Sequence, residues 1–465
     1  MADNKLDGIK KIHFIGIGGS GMSALAYVLL KRGFSVSGSD INSCALTVKL
    51  GEYGAEVYAG HAQENVFDKD AVVVSSAIRE DNVELRTARS LGLPVLHRSD
   101  VLASILNNSL GVAVAGAHGK TTTSAMLACI TTAAGLDPTA VIGGEVSGIG
   151  GNARNGDGKF VVAEADESDG SFLKFFPYLT VITNIENDHL DHYGSEENIY
   201  AAFTSFLQNI KSGGKAVLCI DNEKLKQLSA ETDREVITYG MEGSGADYTA
   251  ANIRYSAAGT SYELFFRGKF VRAIELVVPG RHNVLNSMGA FIAAVEMGAE
   301  QEVVAEALKN FGGAKRRFET KGRADGVWVV DDYAHHPTEI SVTLKAARQT
   351  EPQRLICVFQ PHRYTRTKLL FEEFCNCFKE CDLLILTDIY GAGEDPIAGV
   401  SGDALAKSIN RAEKQQVEYI ASADAVAARL QEIVKSGDLV MTVGAGSVYK
   451  IGEELVKKLE KKANG

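Results

Sequence analysis

Long apolar stretches are missing from this sequence. No run of 18 apolar residues occurs in it, whereas a helix that crosses a bilayer needs about 20. The first residues, MADNKLDGIKK, also lack the apolar core of a secretory signal peptide. We therefore expect a cytoplasmic protein that does not insert into a membrane.

Basic residues are in deficit. The sequence has 48 Lys and Arg against 59 Asp and Glu, for a net charge of -11. Because nucleic acid is itself strongly anionic, we expect no nucleic-acid partner, although local basic clusters can still hold small anionic ligands. Its 465 residues suggest about three domains, at roughly 150 residues each.

A disulfide framework is missing as well. The seven cysteines are odd in number and scattered over three regions, which is not the pattern of a disulfide-stapled protein. Three of them, Cys375, Cys377 and Cys381, are close enough to suggest a metal site. On the helix predicted for LLFEEFCNCFKEC, however, only Cys377 and Cys381 share a face, so we predict buried or half-buried cysteines there.

The most informative stretch that is present is LGVAVAGAHGKTTTS, residues 110–124. It predicts an apolar strand, a glycine turn and a helix that begins near Thr121. The backbone N–H groups from Gly116 to Lys120 would line an anion nest, and Lys120 would reach the β- and γ-phosphates of a nucleotide. Thr121 is placed to offer its hydroxyl to Mg²⁺. The loop is shorter than the common G-x-x-x-x-G-K-[ST] motif, and a solvated lysine on a plain glycine turn is the alternative.

A second glycine turn lies near the N-terminus. KIHFIGIGGSGMSALAYVLLKRG predicts a strand, a turn and a helix, and its G-x-G-x-x-G pattern is followed by Asp40 at the end of the next strand. This is the dinucleotide fingerprint, in which the acid holds a ribose hydroxyl. A further strand, AVVVSSA, ends in Ser75 and Ser76. Residues 1–107 therefore read as a Rossmann-like α/β domain for a nucleotide-like ligand.

Acidic side chains follow two strands of the middle segment. KFVVAEADESD ends in Glu164 and neighbouring acids, and LTVITNIENDHLDHYG ends in Asp188 and His189. Ligands of doubly wound sheets bind at the carboxyl ends of the strands, so these groups would lie beside the phosphates and imply metal ions. In the later helix GRHNVLNSMGAFIAAVEMG, Asn283 and Asn286 share a face. They would read a purine edge, or else Asn283 caps the helix.

The third segment starts with clustered positive charge at Arg316, Arg317, Lys321 and Arg323. Its strand VWVVDDYAHH and the strand RLICVFQ are followed by polar and basic side chains. These are Asp331, Asp332, Tyr333, His335, His336, His362, Arg363 and Arg366. Strands and helices go on alternating to the end, which predicts a third α/β domain. The basic strand ends suit a carboxylate ligand.

Seven motifs in order, GIGGSGMSALA, GAHGKTTT, EADESD, TNIENDHLDHYG, GRHNVLN, RRFE and DDYAHHPTEI, resemble the Mur ligase family of peptidoglycan precursor synthesis. The resemblance implies three α/β domains: a UDP-sugar domain over 1–107, an ATP-binding P-loop domain over 108–313 and an amino-acid domain over 314–465. It is greatest to the branch that adds L-alanine to UDP-N-acetylmuramate. The other branches generally carry a carbamylated lysine soon after the histidine motif, whereas YAAFTSFLQNI, residues 200–210, has no lysine.

The resemblance assigns residues to each ligand. ATP would contact Gly116, His118, Gly119, Lys120, Thr121, Thr122, His282, Asn283, Asn286, Arg317 and Asp332. Mg²⁺, or alternatively Mn²⁺, would be held by Thr121, Glu164 and His189. The UDP-sugar would contact Gly16, Gly18, Gly19, Ser20, Gly21, Met22, Asp40, Ser75 and Ser76. L-Alanine would contact Tyr333, His335, His362, Arg363 and Arg366.

The implied reaction activates a carboxylate. The lactyl carboxylate attacks the γ-phosphate of ATP, and the alanine amine then displaces phosphate from the acyl phosphate. Lys120, Glu164, His189, Arg317, Asp332 and His335 are the catalytic candidates, with His335 or Asp332 as acceptor of the amine proton. We expect a monomer or a weak homodimer.

Other functions remain open on the residues alone. The first glycine turn is compatible with a nicotinamide-dependent dehydrogenase, and Asp188, His189, Asp191 and His192 with a metal hydrolase. An ATP-driven binding switch would need no amide product. A ligase that recycles an intact tripeptide shares the AHHPT motif but lacks the GIGGSGM turn.

Overall fold

Strand and helix alternate along almost the whole chain. A computed structural model describes residues 4–187, 190–256, 258–413 and 416–463. They form three sheets of five, ten and six strands, one in each predicted segment, so the α/β prediction is confirmed. No helix within these described ranges is both long and apolar enough to cross a bilayer.

The first sheet is parallel throughout, in the order β3-β2-β1-β4-β5. Its strands are β1 (Lys11–Ile15), β2 (Ser35–Asp40), β3 (Glu56–Ala59), β4 (Ala71–Val74) and β5 (Val95–His97). Its helices are α1 (Ser20–Lys31), α2 (Ala45–Glu52), α3 (Val83–Ser90) and α4 (Arg98–Asn107). The Rossmann-like prediction for this segment is confirmed in outline, with β3 as a strand that the sequence pattern did not reveal.

The second sheet has the order β15-β14-β13-β12-β11-β10-β6-β9-β7-β8. Its strands are β6 (Leu110–Ala115), β7 (Thr139–Val146), β8 (Gly151–Arg154), β9 (Phe160–Glu164), β10 (Leu179–Ile182), β11 (Lys215–Cys219), β12 (Glu235–Met241), β13 (Tyr248–Ser256), β14 (Gly259–Phe266) and β15 (Lys269–Leu276). The helices are α5 (Lys120–Ala133), α6 (Leu190–Tyr193), α7 (Glu196–Gln208), α8 (Glu223–Glu231), α9 (Arg281–Glu296) and α10 (Gln301–Lys309). Strands β10, β6 and β9 are adjacent and parallel, which brings their carboxyl ends to one edge, as predicted.

The third sheet has the order β16-β17-β21-β18-β19-β20, and only β16 runs antiparallel to its neighbour. Its strands are β16 (Glu319–Ala324), β17 (Val327–Asp332), β18 (Arg354–Phe359), β19 (Leu383–Leu386), β20 (Gln416–Tyr419) and β21 (Asp438–Val443). The helices are α11 (Pro337–Arg348), α12 (Tyr364–Leu369), α13 (Phe371–Asn376), α14 (Gly402–Glu413), α15 (Ala423–Ile433) and α16 (Tyr449–Ala463).

Both faces of the third sheet are covered. Leu355, Cys357 and Phe359 of β18 belong to one buried apolar cluster, whereas Ile356 and Val358 belong to another. Because alternate residues of a strand point to opposite faces, the sheet carries a core on each side. This is the doubly wound arrangement that the near-continuous apolar strands predict.

By their contacts the residues group into two compact units. One comprises Met1–Asn252, Glu263–Ile274 and Leu285–Phe311, and the other comprises Ile253–Tyr262, Glu275–Val284 and Gly312–Gly465. The first two sheets therefore lie largely in one unit and the third in the other. The candidate residues of each unit are described separately below.

The cysteines of the third segment are packed in the core. Cys377 and Cys381 are buried and Cys375 is half-buried, as predicted. The predicted single helix is in fact two, because the backbone at Leu370 leaves helical geometry, and α13 ends before Cys377. No cluster of three or more His, Cys, Asp or Glu that could hold a metal is present in the part of the chain that the structure describes.

Candidate active site

The phosphate loop, residues 116–120, joins β6 to α5. Gly116 and Gly119 have φ values of 124° and 86°, which favour glycine. A Cβ at Gly116 would lie 2.3 Å from Thr183 Oγ1, and one at Gly119 would lie 2.5 Å from Asn286 Oδ1. Both glycines are therefore fixed by close neighbours as well as by backbone conformation.

The N–H groups of this loop do not all face outward. His118 N donates to Asn184 Oδ1 at 2.9 Å, and Ala117 N donates to the Asn184 carbonyl. The expectation that every N–H from Gly116 to Lys120 lines an anion nest is therefore wrong for Ala117 and His118. Asn184 instead holds the loop, and the helix begins at Lys120, one residue earlier than predicted.

Lys120 lies over its own loop. Its Nζ donates to the carbonyls of Gly116 at 2.6 Å and Ala117 at 3.2 Å, and pairs with Glu167 Oε1 at 2.8 Å. Burial by itself would lower the pKa of Lys120, but the charge and hydrogen bond of Glu167 outweigh it and raise the pKa above its ordinary value. Lys120 is therefore a half-buried cation that its loop and Glu167 hold in place at the strand ends.

Glu164 and the first turn of α5 form a cluster of oxygen atoms. Thr121 Oγ1 donates to Glu164 Oε2 at 3.2 Å, and Ser124 Oγ to Glu164 Oε1 at 3.3 Å. Carboxylate and hydroxyl oxygens are the donors that Mg²⁺ prefers, and the ion commonly takes only one or two protein carboxylates. Thr121 and Glu164 therefore fit the predicted ion. His189 and Asp188, the other metal candidates, lie outside the described residues.

Two further side chains from the acidic strand ends complete this edge. Asp166 Oδ2 accepts from Arg98 Nη2 at 2.7 Å, and His118 Nε2 lies 3.2 Å from Glu186 Oε2. Burial would raise the pKa of Asp166, but the hydrogen bonds of Ser168 and the charges of Lys120 and Arg98 lower it to about 2. Asp166 is thus ionised and is countered by cations from both predicted domains of this unit.

The amides of α9 have distinct surroundings. Asn286 is buried against Gly119 of the phosphate loop. Asn283 is the third residue of α9, and its Nδ2 donates to the Pro279 carbonyl at 2.7 Å. It therefore bonds back to the segment before the helix and does not stand at the cap position. The assignment of both amides to adenine stays a prediction.

The first glycine turn, residues 16–22, is tied to β2. Gly16 has φ of 79° and its N–H donates to the Ser39 carbonyl. Gly18 N donates to Asp40 Oδ2 at 2.9 Å, and a Cβ at Gly18 would lie 2.8 Å from that oxygen. Asp40 therefore braces the turn, and its predicted contact with a ribose remains a prediction.

Other candidates of the first domain differ in accessibility. Ser76 is exposed after β4 and its Oγ lies 3.4 Å from His97 Nε2. The Met22 side chain is buried in the core, so any contact of Met22 with a ligand would involve its backbone. Ser20 Oγ donates to the carbonyl of Gly143 in β7.

In the unit of the third sheet, the two arginines of the RRFE motif do different things. Arg316 donates to Asp331 Oδ2 at 3.1 Å and to the carbonyls of Gly444 and Ala445, so it is structural. Arg317 lies over the Tyr333 ring and 4.0 Å from Glu339.

The expected cluster of four cations in this unit is wrong in its extent. Lys321 pairs with Glu319 and Glu453, and Arg323 stacks on Trp328. Arg316 and Arg317 both lie over the ring of Tyr333, and the assignment of Arg317 to the nucleotide stays a prediction.

Asp332 is buried beside Arg317. Its two oxygens accept from Phe318 N and Ala334 N, each at 2.8 Å. Burial raises the pKa of Asp332 to about 6, although the Arg317 charge and these N–H groups oppose the shift. Burial and the Arg317 charge likewise lower the pKa of His282 to about 4, so His282 is a neutral side chain beside the same arginine.

Residues that were predicted to bind the substrate L-alanine lie close to one another. His335 Nδ1 lies 3.0 Å from the Tyr333 carbonyl, so Nδ1 carries the proton of the neutral ring and Nε2 is an acceptor. Burial lowers the pKa of His335, although Glu339 opposes the shift. The rings of His335 and His362 are 6.0 Å apart, and Arg366 Nη1 is 3.3 Å from His362 Nδ1.

Further side chains border this cluster. Burial and the neighbouring His335 lower the pKa of His362 to about 4. Arg363 has φ of 70° and lies 4.0 Å from Glu394, while Tyr390 stacks on His362. Neither Glu394 nor Tyr390 was predicted, since the segment around them has no distinctive spacing. Arg98 and Gly143 were missed because they reach the site only through tertiary contacts. Asn184 follows a strand whose polar end was predicted to lie at this edge, but its bonds to the phosphate loop were not predicted.

The fold and these clusters define a multidomain α/β protein with a nucleotide phosphate loop. Family models match in the predicted order: the Mur ligase family catalytic domain over residues 11–109, the Mur ligase middle domain over 114–294, and the Mur ligase glutamate ligase domain over 316–446. The chain belongs to the Mur ligase family.

Within the family, the chain is similar over nearly its whole length to ligases that are named for L-alanine. The UDP-N-acetylmuramate--L-alanine ligase of Pelotomaculum thermopropionicum is 49% identical over 455 residues, 98% of this chain and 99% of that protein. The ligase of the same name from Geotalea daltonii is 48% identical over 451 residues, 97% and 98% of the two chains. The crystal structure of UDP-N-acetylmuramate-alanine ligase MurC from Thermotoga maritima matches with a TM-score of 0.83 at 30% identity, covering 97% and 99%.

A murein peptide ligase from Psychrobacter arcticus is also similar in structure. It matches with a TM-score of 0.71 at 25% identity and covers 97% of this chain and 99% of its own.

Proposed function

We propose that this chain joins L-alanine to the lactyl carboxylate of UDP-N-acetylmuramate with hydrolysis of ATP to ADP and phosphate, in peptidoglycan precursor synthesis. The observation that carries the proposal is its similarity to alanine-adding ligases over 98% of the chain. Two groups of side chains support the proposal. One is the pair of Lys120 and Glu167 at the phosphate loop, and the other is the cluster of His335, His362 and Arg366. They supply one region for a polyphosphate and one for an amino-acid carboxylate.

The reaction divides into two displacements. A carboxylate oxygen of the lactyl group attacks the γ-phosphorus, and the bond from phosphorus to the ADP oxygen breaks. The alanine nitrogen then attacks the acyl carbon, and phosphate leaves with the electron pair of its C–O bond. Positioning and charge neutralisation account for most of the catalysis of phosphoryl transfer. Lys120 would supply a fixed positive charge at the phosphates, and Arg317 a second one.

The attacking amine must lose a proton. The α-amino group of free alanine is protonated at neutral pH, so a neighbouring acceptor for its proton favours the attack. The neutral His335 has an acceptor at Nε2, whereas both oxygens of Asp332 already accept backbone hydrogen bonds. We therefore assign the proton to His335 in preference to Asp332.

A divalent ion would be held by Thr121 and Glu164, with His189 as the further candidate. Mg²⁺, or Mn²⁺ in its place, would neutralise negative charge on the ATP phosphates.

A phosphate-release assay tests the proposal. The mixtures contain ATP and UDP-N-acetylmuramate with no further addition, with one of the twenty amino acids, or with the intact tripeptide. The mass of the product is measured by mass spectrometry. We expect release that requires all three substrates and is fastest with alanine. Release without amino acid would indicate an ATPase or a binding switch. A requirement for an intact tripeptide would indicate the recycling reaction.

A further inference from the structure

The peptide unit of Gly143 lies between the first glycine turn and Glu164. The ladder of β7 with β9 ends at the pair Val141–Ala163, and the pairing of β7 with β8 is irregular between Val141 and Val146. The polar groups of Gly143 are therefore directed to side chains. Its N–H donates to Glu164 Oε1 at 2.6 Å, and its carbonyl accepts from Ser20 Oγ at 2.9 Å.

A side chain at position 143 would displace the carboxylate of Glu164. A Cβ there would lie 2.8 Å from Glu164 Oε2 and 3.0 Å from Glu164 Oε1. The carboxylate thus rests directly on the Gly143 peptide while its other contacts reach Thr121 and Ser124 of α5. Any shift of the Gly143 peptide must move the carboxylate that faces the phosphate loop.

Ser20, on the other side of the Gly143 peptide from Glu164, is also held by hydrogen bonds. Ser20 is the first residue of α1, and the buried Asn152 of β8 donates to the Ser20 carbonyl at 2.7 Å and to Ser23 Oγ at 3.1 Å. Residues of β7 and β8 therefore hold Ser20 through both its hydroxyl and its carbonyl. Ser20 belongs to the turn whose N–H groups would face the pyrophosphate of a sugar nucleotide.

We propose that Ser20, Gly143 and Glu164 form a positioning link that couples the sugar-nucleotide site to the adenine-nucleotide site. A ligand that orders the first turn of α1 fixes the Gly143 peptide, and the peptide fixes the Glu164 carboxylate. Each nucleotide then raises the affinity for the other, because coupling between two sites is reciprocal. This inference rests on the proposed function, which assigns the turn to UDP-N-acetylmuramate and Glu164 to the metal-bound nucleotide.

Calorimetry of the full chain tests the link. We expect Mg·ADP to bind about fivefold or more tightly when UDP-N-acetylmuramate is present, the lower end of typical couplings. Ser20→Ala removes the hydroxyl but keeps the backbone of the turn, so this factor should fall below about twofold. Ser23→Ala is the matched control, because it alters the same helix turn and the same Asn152 contact without reaching Gly143. It should keep the wild-type coupling.

A second variant probes the other end of the link. Gly143→Ala keeps both backbone hydrogen-bonding groups but crowds Glu164, so Mg·ADP should bind more weakly while UDP-N-acetylmuramate alone binds as in the wild type. Coupling that persists in Ser20→Ala, or is missing in a wild type that ligates alanine, would overturn the link and leave the proposed function standing. A wild type that neither binds UDP-N-acetylmuramate nor ligates alanine would overturn the proposed function, and the link with it.

Discussion

At the scale of single residues, the surroundings of Lys120 determine what its loss would do. Lys120 is paired with Glu167 and bonded to two carbonyls of its own loop, which holds its ammonium group at the phosphate loop, where we propose that it meets the γ-phosphate. We expect Lys120→Ala to lower kcat by roughly 10² or more while the Kd for UDP-N-acetylmuramate changes little. Lys159→Ala, at an exposed lysine of the same domain, is the control. Wild-type turnover in Lys120→Ala would contradict the assignment.

Arg366 is the residue on which alanine binding is tested. It lies against His362, and guanidinium groups match a carboxylate with two parallel hydrogen bonds. Arg366→Ala should therefore raise the KM for alanine by about 10- to 100-fold, as loss of a paired charge implies. The KM values for ATP and the sugar nucleotide should stay nearly unchanged, and alaninamide should be a poor substrate of the wild type.

A purely structural role for Arg366 makes a different prediction. In such a role Arg366 would pair with acids of the following helix, such as Glu372 or Glu373; the acid beside the neighbouring Arg363 is Glu394. Under that role the substitution would lower Tm and leave the alanine KM alone. Lys368→Ala, at an exposed position of the same short helix, controls for effects on α12. Both KM and Tm are measured on each variant.

At the scale of secondary-structure elements, Glu84 joins α3 to the first sheet. Its buried carboxylate accepts from Ser39 of β2 at 2.5 Å, from Asn65 at 2.6 Å, and lies 2.9 Å from His61 Nδ1. Burial would raise the pKa of Glu84, but hydrogen bonds from His13, Ser39 and Asn65 lower it to about 2. A carboxyl whose pKa is depressed in the folded state stabilises the protein above its ordinary pKa, and the contribution is lost as the pH falls.

Glu84→Gln should therefore destabilise the protein by about 3 kcal/mol at pH 7, since it removes a buried charge from its partners. The difference from wild type should shrink as the pH falls from 4.5, the ordinary value, to about 2. Urea unfolding at pH 7 and pH 3 measures it. Glu80→Gln, at an exposed pair with Arg89, should change the free energy of unfolding far less, because exposed ion pairs contribute little to stability. A pH-independent difference for Glu84 would contradict the argument.

Elements with strong local signals could be predicted from the sequence, and those set by tertiary contacts could not. The apolar runs before GIGGSGM and GAHGK gave β1 and β6 because strand, glycine turn and helix are all local patterns. β3 was missed because EVYA is short and at most half-buried. The different roles of Arg316 and Arg317 were also hidden, since Arg316 has a left-handed backbone, with φ of 61°, that turns it toward Asp331.

At the scale of the whole molecule, alternating strands and helices predicted three sheets but not their strand order. In the third sheet the last strand, β21, lies between β17 and β18, and it begins 84 residues after β18 begins, at the pair Arg354–Asp438. This order places the turn after β21 beside Arg316, which donates to the carbonyls of Gly444 and Ala445. Such long-range pairings leave no local signal in the sequence. The contacts of Arg316 with the turn after β21 therefore could not be predicted from it.

Three domains with separate ligand clusters predict that a variant of one domain affects one ligand. Gly18→Val places a branched side chain where even a Cβ would lie 2.8 Å from Asp40 Oδ2 and 3.0 Å from Thr47 Cγ2, so the first glycine turn must shift. Measured with each ligand alone, the Kd for UDP-N-acetylmuramate should rise by about tenfold or more. The Kd for Mg·ADP should change much less, because the displaced turn reaches that site only through Ser20 and Gly143. Gly51→Ala is the control, because its Cβ meets nothing within 4 Å and alanine favours a helix. It should leave both Kd values unchanged.

NADH should not bind the wild type, since the turn is assigned to a UDP-sugar. Tight NADH binding would contradict that assignment even if the Gly18→Val result were as expected, because a nicotinamide site would lose affinity through the same displaced turn.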